Sequence, residues 1–249
     1  MAARLSTAKK FSAAYFALAA LVGAGIGTFV MLVERPAPLP PPPWSVWQPT
    51  SSDKLVRAQE IGVHIAARYH LPSGKRLVRV LVGGPGTDAN PIRAVAIART
   101  TRPTKQSDVL SLVDVKGSIM FILCGAGTKC SIKEGKASVE RAAVLRREAL
   151  ELALYTFRYV DGVTSVVTFF PPKKGKDMSF ALFFDKPSFS SQLDHPLRKT
   201  LALPPPVATN LSPTEQKTVD LLTKQRVLYF ALQRESNGER VLVLAHKLG

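Results

Sequence analysis

From Phe11 to Val33 the chain reads FSAAYFALAALVGAGIGTFVMLV, twenty-three residues without a charge. A helix over this run would be about 34 Å long at ~1.5 Å per residue, enough for a hydrocarbon core of ~30 Å. It has no polar face, so it does not read as an amphipathic helix of a soluble fold. Lys9 and Lys10 precede the run, while Glu34 and Arg35 nearly cancel behind it. The positive-inside rule then predicts a cytoplasmic N-terminus. A cleaved signal peptide is the competing reading. Its apolar region would be shorter, roughly 7–15 residues, and would end in a small-x-small site, whereas Glu34-Arg-Pro-Ala-Pro38 follows here. The expected organisation is a cytoplasmic tail over 1–10, a transmembrane helix over 11–33, a spacer over 34–47 and an extracytoplasmic domain over 48–249.

Within the run, Ala19, Gly23 and Gly27 recur every fourth residue. Such a stripe lets two membrane helices approach closely, which makes a homodimer one expectation, although glycine is common in membrane helices generally. Pro36-Ala-Pro-Leu-Pro-Pro-Pro-Pro43 can be neither helix nor central strand. It reads as a polyproline II rod that holds the domain roughly 20–25 Å from the bilayer. Trp44 and Trp47 then fall too far out for an interfacial belt and are expected to dock on the folded domain.

The formal charge is +16, and residues 1–35 contribute only three of it, so the basicity belongs to the displayed domain. Beyond a membrane, the polyanions such a surface meets are lipid headgroups and acidic wall polymers. The plainer reading is that surplus Lys and Arg keep the domain soluble. Cys124 and Cys130 close the short segment Cys-Gly-Ala-Gly-Thr-Lys-Cys. A disulfide is the simplest reading in an exported domain and two free thiols the alternative. Two thiols are too few for a structural zinc.

Hydrophobic periodicity predicts an α+β domain. A helix from Ser52 or Asp53 to about Tyr69 carries Leu55, Ala58, Ile61, Ile65 and Tyr69 on one face. Strands are expected at 77–82 and 92–100, with 109–113 and 118–124 forming a hairpin around Lys116-Gly117. The longest helix of the domain starts at Ser138 and runs to about Tyr159, with an apolar stripe of Ala142, Leu145, Ala149, Leu152 and Ala153. Strands 163–170 and 179–184 should pair, and a short helix should cover 213–223. A last hairpin, 227–234 with 240–244, turns at Asn237-Gly238. It is apolar on both faces, so it must join a covered sheet. The expected fold is one mainly antiparallel sheet covered by two main helices.

Residues 147–167, REALELALYTFRYVDGVTSVV, with Trp44-Ser-Val-Trp-Gln-Pro49 behind a proline spacer and the Ile122-Leu-Cys-Gly125 loop, resemble uncharacterised single-pass proteins of high-GC Gram-positive bacteria. The resemblance implies a cell-envelope setting. It implies no activity and assigns no functional residue.

No catalytic or cofactor motif stands out. His64, His70, His195 and His246 do not lie three or four residues from one another, and no HExxH accompanies them, so no metal site is expected. The glycine-rich segments 83–86 and 125–129 lack phosphate-loop spacing, and no GxSxG elbow is present. Glu148 and Glu151 share a helical face with Arg147, which reads as a solvated ion-pair face. The best clue is positive charge on turns: Lys173, Lys174 and Lys176, then Lys75, Arg76 and Arg79, with further stretches at Arg99–Lys105 and Lys129–Lys136. Loops at one end of a sheet can gather such charge into a patch. Without stacking aromatics or a recognition motif, nucleic acid is not the expected partner. The expectation is a membrane-anchored interaction domain whose basic surface binds a protein partner, an anionic polymer or lipid. An envelope enzyme with a site built from separated residues, or an accessory subunit of a membrane complex, is the alternative.

Overall fold

A computed structural model describes residues 7–33, 42–83, 86–87, 90–98, 110–207, 211–234, 236 and 238–246. The chain divides into two units, Met1–Pro42 and Pro43–Gly249. The first holds α1 (Thr7–Val33), a single helix of 27 residues. A Cβ added at Gly23 or Gly27 would meet nothing within 4 Å. Among the described residues, no helix is long and apolar enough to cross a membrane. The side chains at 7–10, 13, 28 and 30–33 lie outside that description, as do residues 34–41 of the proline-rich spacer.

The second unit opens with α2 (Lys54–Ala66), where the Asp53 carboxylate accepts from the Leu55 and Val56 amides and so satisfies first-turn donors that would otherwise be unpaired. Then follow β1 (Arg79–Gly83), β2 (Gly86–Thr87), β3 (Asn90–Ala98), β4 (Leu110–Asp114), β5 (Ser118–Cys124), α3 (Val139–Tyr159), β6 (Ser165–Phe169) and β7 (Phe180–Asp185). The chain ends through α4 (Ser190–Leu193), α5 (Pro213–Thr223), β8 (Val227–Arg234) and β9 (Arg240–Ala245). Among the described residues nine strands form one sheet, ordered β1-β5-β6-β7-β8-β9-β3-β2, with β4 also paired to β3. Most pairs are antiparallel; β5–β6 and β3–β9 are parallel. The fold is therefore α+β with a mainly antiparallel sheet.

The expected hairpin of 109–113 with 118–124 does not form. β4 pairs with β3, and β5 lies between β1 and β6. The Asp114 side chain caps a short 3-10 turn, Val115–Gly117, and Ser118 Oγ donates to the Asp114 carbonyl at 3.1 Å, so the chain leaves the strand instead of doubling back. β5 is apolar on both faces, and burying it takes a neighbour on each edge and cover on each face.

That cover comes from two sides. Ile119, Phe121, Leu123, Val166, Leu182 and Phe184 face the helices in the main core. Met120, Val167, Ala181, Leu228, Leu242 and Val95 form a second core on the opposite face, where the sheet curls on itself. Phe169 meets Phe230 edge-on there, at 4.8 Å between centroids. α2 lies against β1 closely enough that a Cβ at Gly62 would sit 2.9 Å from Val80 Cγ1.

α3 departs from the expected one-sided stripe. Ala142 is exposed, while 143–157 is buried apart from a half-buried Arg146. The helix sits beneath α2 on one flank and α5 on the other, with the sheet below. Arg147, Glu148 and Glu151 are each fully buried, so the solvated ion-pair face does not exist. Trp44 is also buried: its ring meets Tyr155 and Tyr159 edge-on at 5.3 and 5.7 Å, and its indole donates to the Gln192 carbonyl. Trp47 stacks on His64 at 3.9 Å. The compact unit thus begins at Pro43 and includes both tryptophans.

Candidate functional site

Register places the basic turns. Arg79 at the start of β1 is opposite Cys124 at the end of β5, Ile122 of β5 is level with Phe169 at the end of β6, and Phe169 is opposite Ala181 near the start of β7. The segments 71–78, 125–138 and 170–179 therefore emerge from the same end of four neighbouring strands. At ~4.8 Å between strands these four ends span about 14 Å. The three segments together with Arg79 carry nine Lys and Arg against two carboxylates, Glu134 and Asp177, and all nine cations are exposed.

The central segment is tied to both neighbours. Lys75 and Ser73 of the first segment bind Glu134, and Ser73 Oγ donates to it at 2.6 Å. These two side chains hold the Glu134 carboxyl below its ordinary range. On the other flank Lys129 pairs with Asp177 at 2.8 Å. Cys124 and Cys130 are bonded to each other, closing the ring at the end of β5. The Gly125 amide donates to the Cys130 carbonyl at 2.8 Å and the Gly127 amide to the Ser131 carbonyl at 2.7 Å. Glycine is required at 125, where a Cβ would stand 2.4 Å from the Ser131 carbonyl oxygen. Lys129 and Cys130 adopt left-handed φ values of 52° and 65°, which the closed ring imposes on residues that avoid them.

Sequence reasoning found Lys75, Arg76, Arg79, Lys173, Lys174 and Lys176, and the fold brings them to one end. Lys129, Lys133 and Lys136 join them because the segment after β5 lies between the other two. Arg99–Lys105 lies outside the described residues.

A second cluster of charge is internal. Arg147 Nε donates to Glu215 Oε1 at 2.7 Å, and its Nη1 meets Glu151 Oε2 at 3.1 Å. Tyr69 donates to Glu151 Oε2 at 2.7 Å, Arg68 pairs with the other Glu151 oxygen, and the Ala202 amide donates to Glu215 Oε1 at 2.9 Å. Beside this network the Glu148 carboxyl has no hydrogen-bond partner on either oxygen. Burial, then the Glu151 charge, push it well above the ordinary range, so it is held neutral. Sequence could not show this, because burial of α3 depends on α2 and α5, which lie remote from it in the chain.

Two surface concavities lie apart from these carboxyls. One concavity of about 450 Å³ is lined by Phe157, Arg158, Thr164, Lys186, Ser190 and Asp194. Another, of about 210 Å³, includes His195, Lys199 and Thr218. Both are open to solvent. Burial, then the Arg68 charge, depress the His64 pKa to about 4, but its ring is stacked on Trp47. Among the described residues no group of His, Cys, Asp and Glu could hold a metal ion. The arrangement is suited to electrostatic binding at the loop end and to stability in the interior. No known protein family, curated protein or solved structure matches the chain.

Proposed function

We propose that the chain is a membrane-anchored interaction domain of a bacterial cell envelope. In this reading the uncharged run 11–33 crosses the bilayer with residues 1–10 in the cytoplasm, and the domain beginning at Pro43 stands outside and presents its basic end to an anionic partner. The anchor rests on the length and composition of that run and on Lys9 and Lys10 before it. The envelope setting rests on the sequence resemblance. The observation that carries the interaction reading is the cross-tied loop end: three cationic segments linked through Lys75–Glu134 and Lys129–Asp177 around a disulfide-closed ring. Preorganised charge of this kind reduces the ordering that binding would otherwise require.

The test places a photo-crosslinking residue at Lys174 and, separately, at Ser190 on the opposite end of β6 and β7, in the full chain in its membrane. Adducts should form from 174, weaken as salt is raised, and be absent from 190. Equal adducts from both positions, or salt-insensitive adducts, would reject the reading. Alkaline carbonate should leave the chain with the membrane pellet; release into the supernatant rejects the anchor.

A further inference from the structure

The row of loops also constrains the kind of anion. We propose that the basic end binds a hydrophilic linear polyanion lying across the three segments, an inference that rests on the interaction reading above and narrows it. Three observations carry it. The cations are distributed along successive strand ends in the order β1, β5, β6, β7, over about 14 Å, and are not gathered around a single point. A lone phosphate or carboxylate reaches one loop at a time, whereas a chain with repeating anionic groups engages all three.

Second, the ties divide the cations. Lys75 and Lys129 are engaged in fastening one segment to the next, and the other seven carry no ion pair among the described residues. Unpaired cations therefore remain on every segment: Arg76 and Arg79 on the first, Lys133 and Lys136 on the second, the 173–176 turn on the third. A multivalent ligand gains from this spacing because each further contact is intramolecular.

Third, the surface offers nothing for a membrane interior or for bases. No large apolar side chain on 71–78, 125–138 or 170–179 is exposed; Leu71, Leu77 and Val78 are buried. The nearest exposed ones, Val139 and Phe180, begin the elements that follow, and Phe180 is turned to Tyr229 at 4.5 Å between centroids. Peripheral lipid binding draws on buried apolar area as well as charge, and single-stranded nucleic acid draws on stacked aromatics. Lysines as mobile point charges suit a polymer recognised by its charge density.

The test uses the full chain in zwitterionic nanodiscs and four probes: long-chain inorganic polyphosphate, a short oligophosphate, orthophosphate, and phosphatidylglycerol vesicles. Long-chain polyphosphate should bind with an affinity that falls steeply with salt. At equal total phosphate, orthophosphate and the short oligomer should compete at least 100-fold less well. K173Q/K174Q/K176Q, on an exposed turn, should lower affinity at least tenfold and reduce the salt slope by about three, one per lysine, with thermal unfolding unchanged. Equal competition by orthophosphate would overturn the inference, because it would mean separate single-anion sites. Vesicle binding through the same lysines with no polyphosphate binding would also overturn it while leaving the interaction reading standing. If the triple variant changes neither polyphosphate nor vesicle binding and crosslinking from 174 is also absent, both fail.

Discussion

The Tyr69 hydroxyl donates to Glu151 Oε2 at 2.7 Å, joining the residue just beyond α2 to the middle of α3 through a carboxylate with no exposed surface. Arg147, one turn before Glu151 on α3, extends the same network to Glu215 on α5. Three helices are thus held by one connected set of charges.

Removing one member leaves its partners buried and unpaired. Arg147→Met should cost about 3–5 kcal/mol in equilibrium unfolding. Tyr69→Phe should cost about 1.5–3 kcal/mol, the range for a hydrogen bond to a charged group. The triple variant R147M/E151M/E215M should lose less than the sum of its single changes, since of the network's charges only the partly exposed Arg68 then lacks its partner. Additive losses would show that the network is not coupled.

Glu148 makes stability depend on pH in the opposite sense to an ordinary paired carboxylate. Its folded pKa is raised above the unfolded value near 4.5, so its contribution is complete below that value. As pH rises from there towards the folded pKa, the unfolded state ionises and the folded state resists, and stability falls. Glu148→Gln should remove that fall: the difference between variant and parent should grow with pH above 4.5. A difference that is flat with pH would show that the carboxyl ionises equally in both states.

His64 acts at the other end of the scale. Its folded pKa of about 4 lies below the unfolded value of 6.5, so its contribution is complete above 6.5 and is lost as pH falls towards 4. His64→Phe keeps an aromatic ring against Trp47 and cannot titrate. Unfolding midpoints should converge on the parent's less steep, neutral-side behaviour, with a smaller loss between pH 6.5 and 4. An unchanged acid slope would place the effect elsewhere.

The Cys124–Cys130 bond closes a seven-residue ring, and in the chain-entropy relation such a ring contributes about 2 kcal/mol. C124S/C130S should lose roughly that amount. Hydrogen exchange should rise at 125–131, where Lys129 and Cys130 can leave their left-handed conformations, and in the facing turn at 173–177. Protection in α3 and β6 should stay high. A loss of protection spread through the sheet would show that the ring supports the core and does not merely shape the loop end.

Elements with strong local signals were legible in advance. α2, α3, the β6–β7 pair and the β8–β9 pair lie within a few residues of where periodicity and turn residues place them. The β4–β5 hairpin was not, because Lys116-Gly117 looks like a reversal while the Asp114 cap and the two-sided burial of β5 depend on strands remote in sequence. The basic turns were visible one by one. Their union was not, since it depends on β5 and β6 running parallel with α3 between them.

The sequence by itself determined the uncharged run at 11–33, the proline-rich stretch behind it, the excess of positive charge and the order of most helices and strands, because these are properties of composition and local period. Tertiary structure alone decided that α3 is covered on several sides, that Glu148 is sealed without a partner, and that three separate turns share one end of the sheet. Burial and adjacency are set by which distant segments pack together, and no local pattern in Arg147-Glu148 or Lys173-Lys174 carries that information.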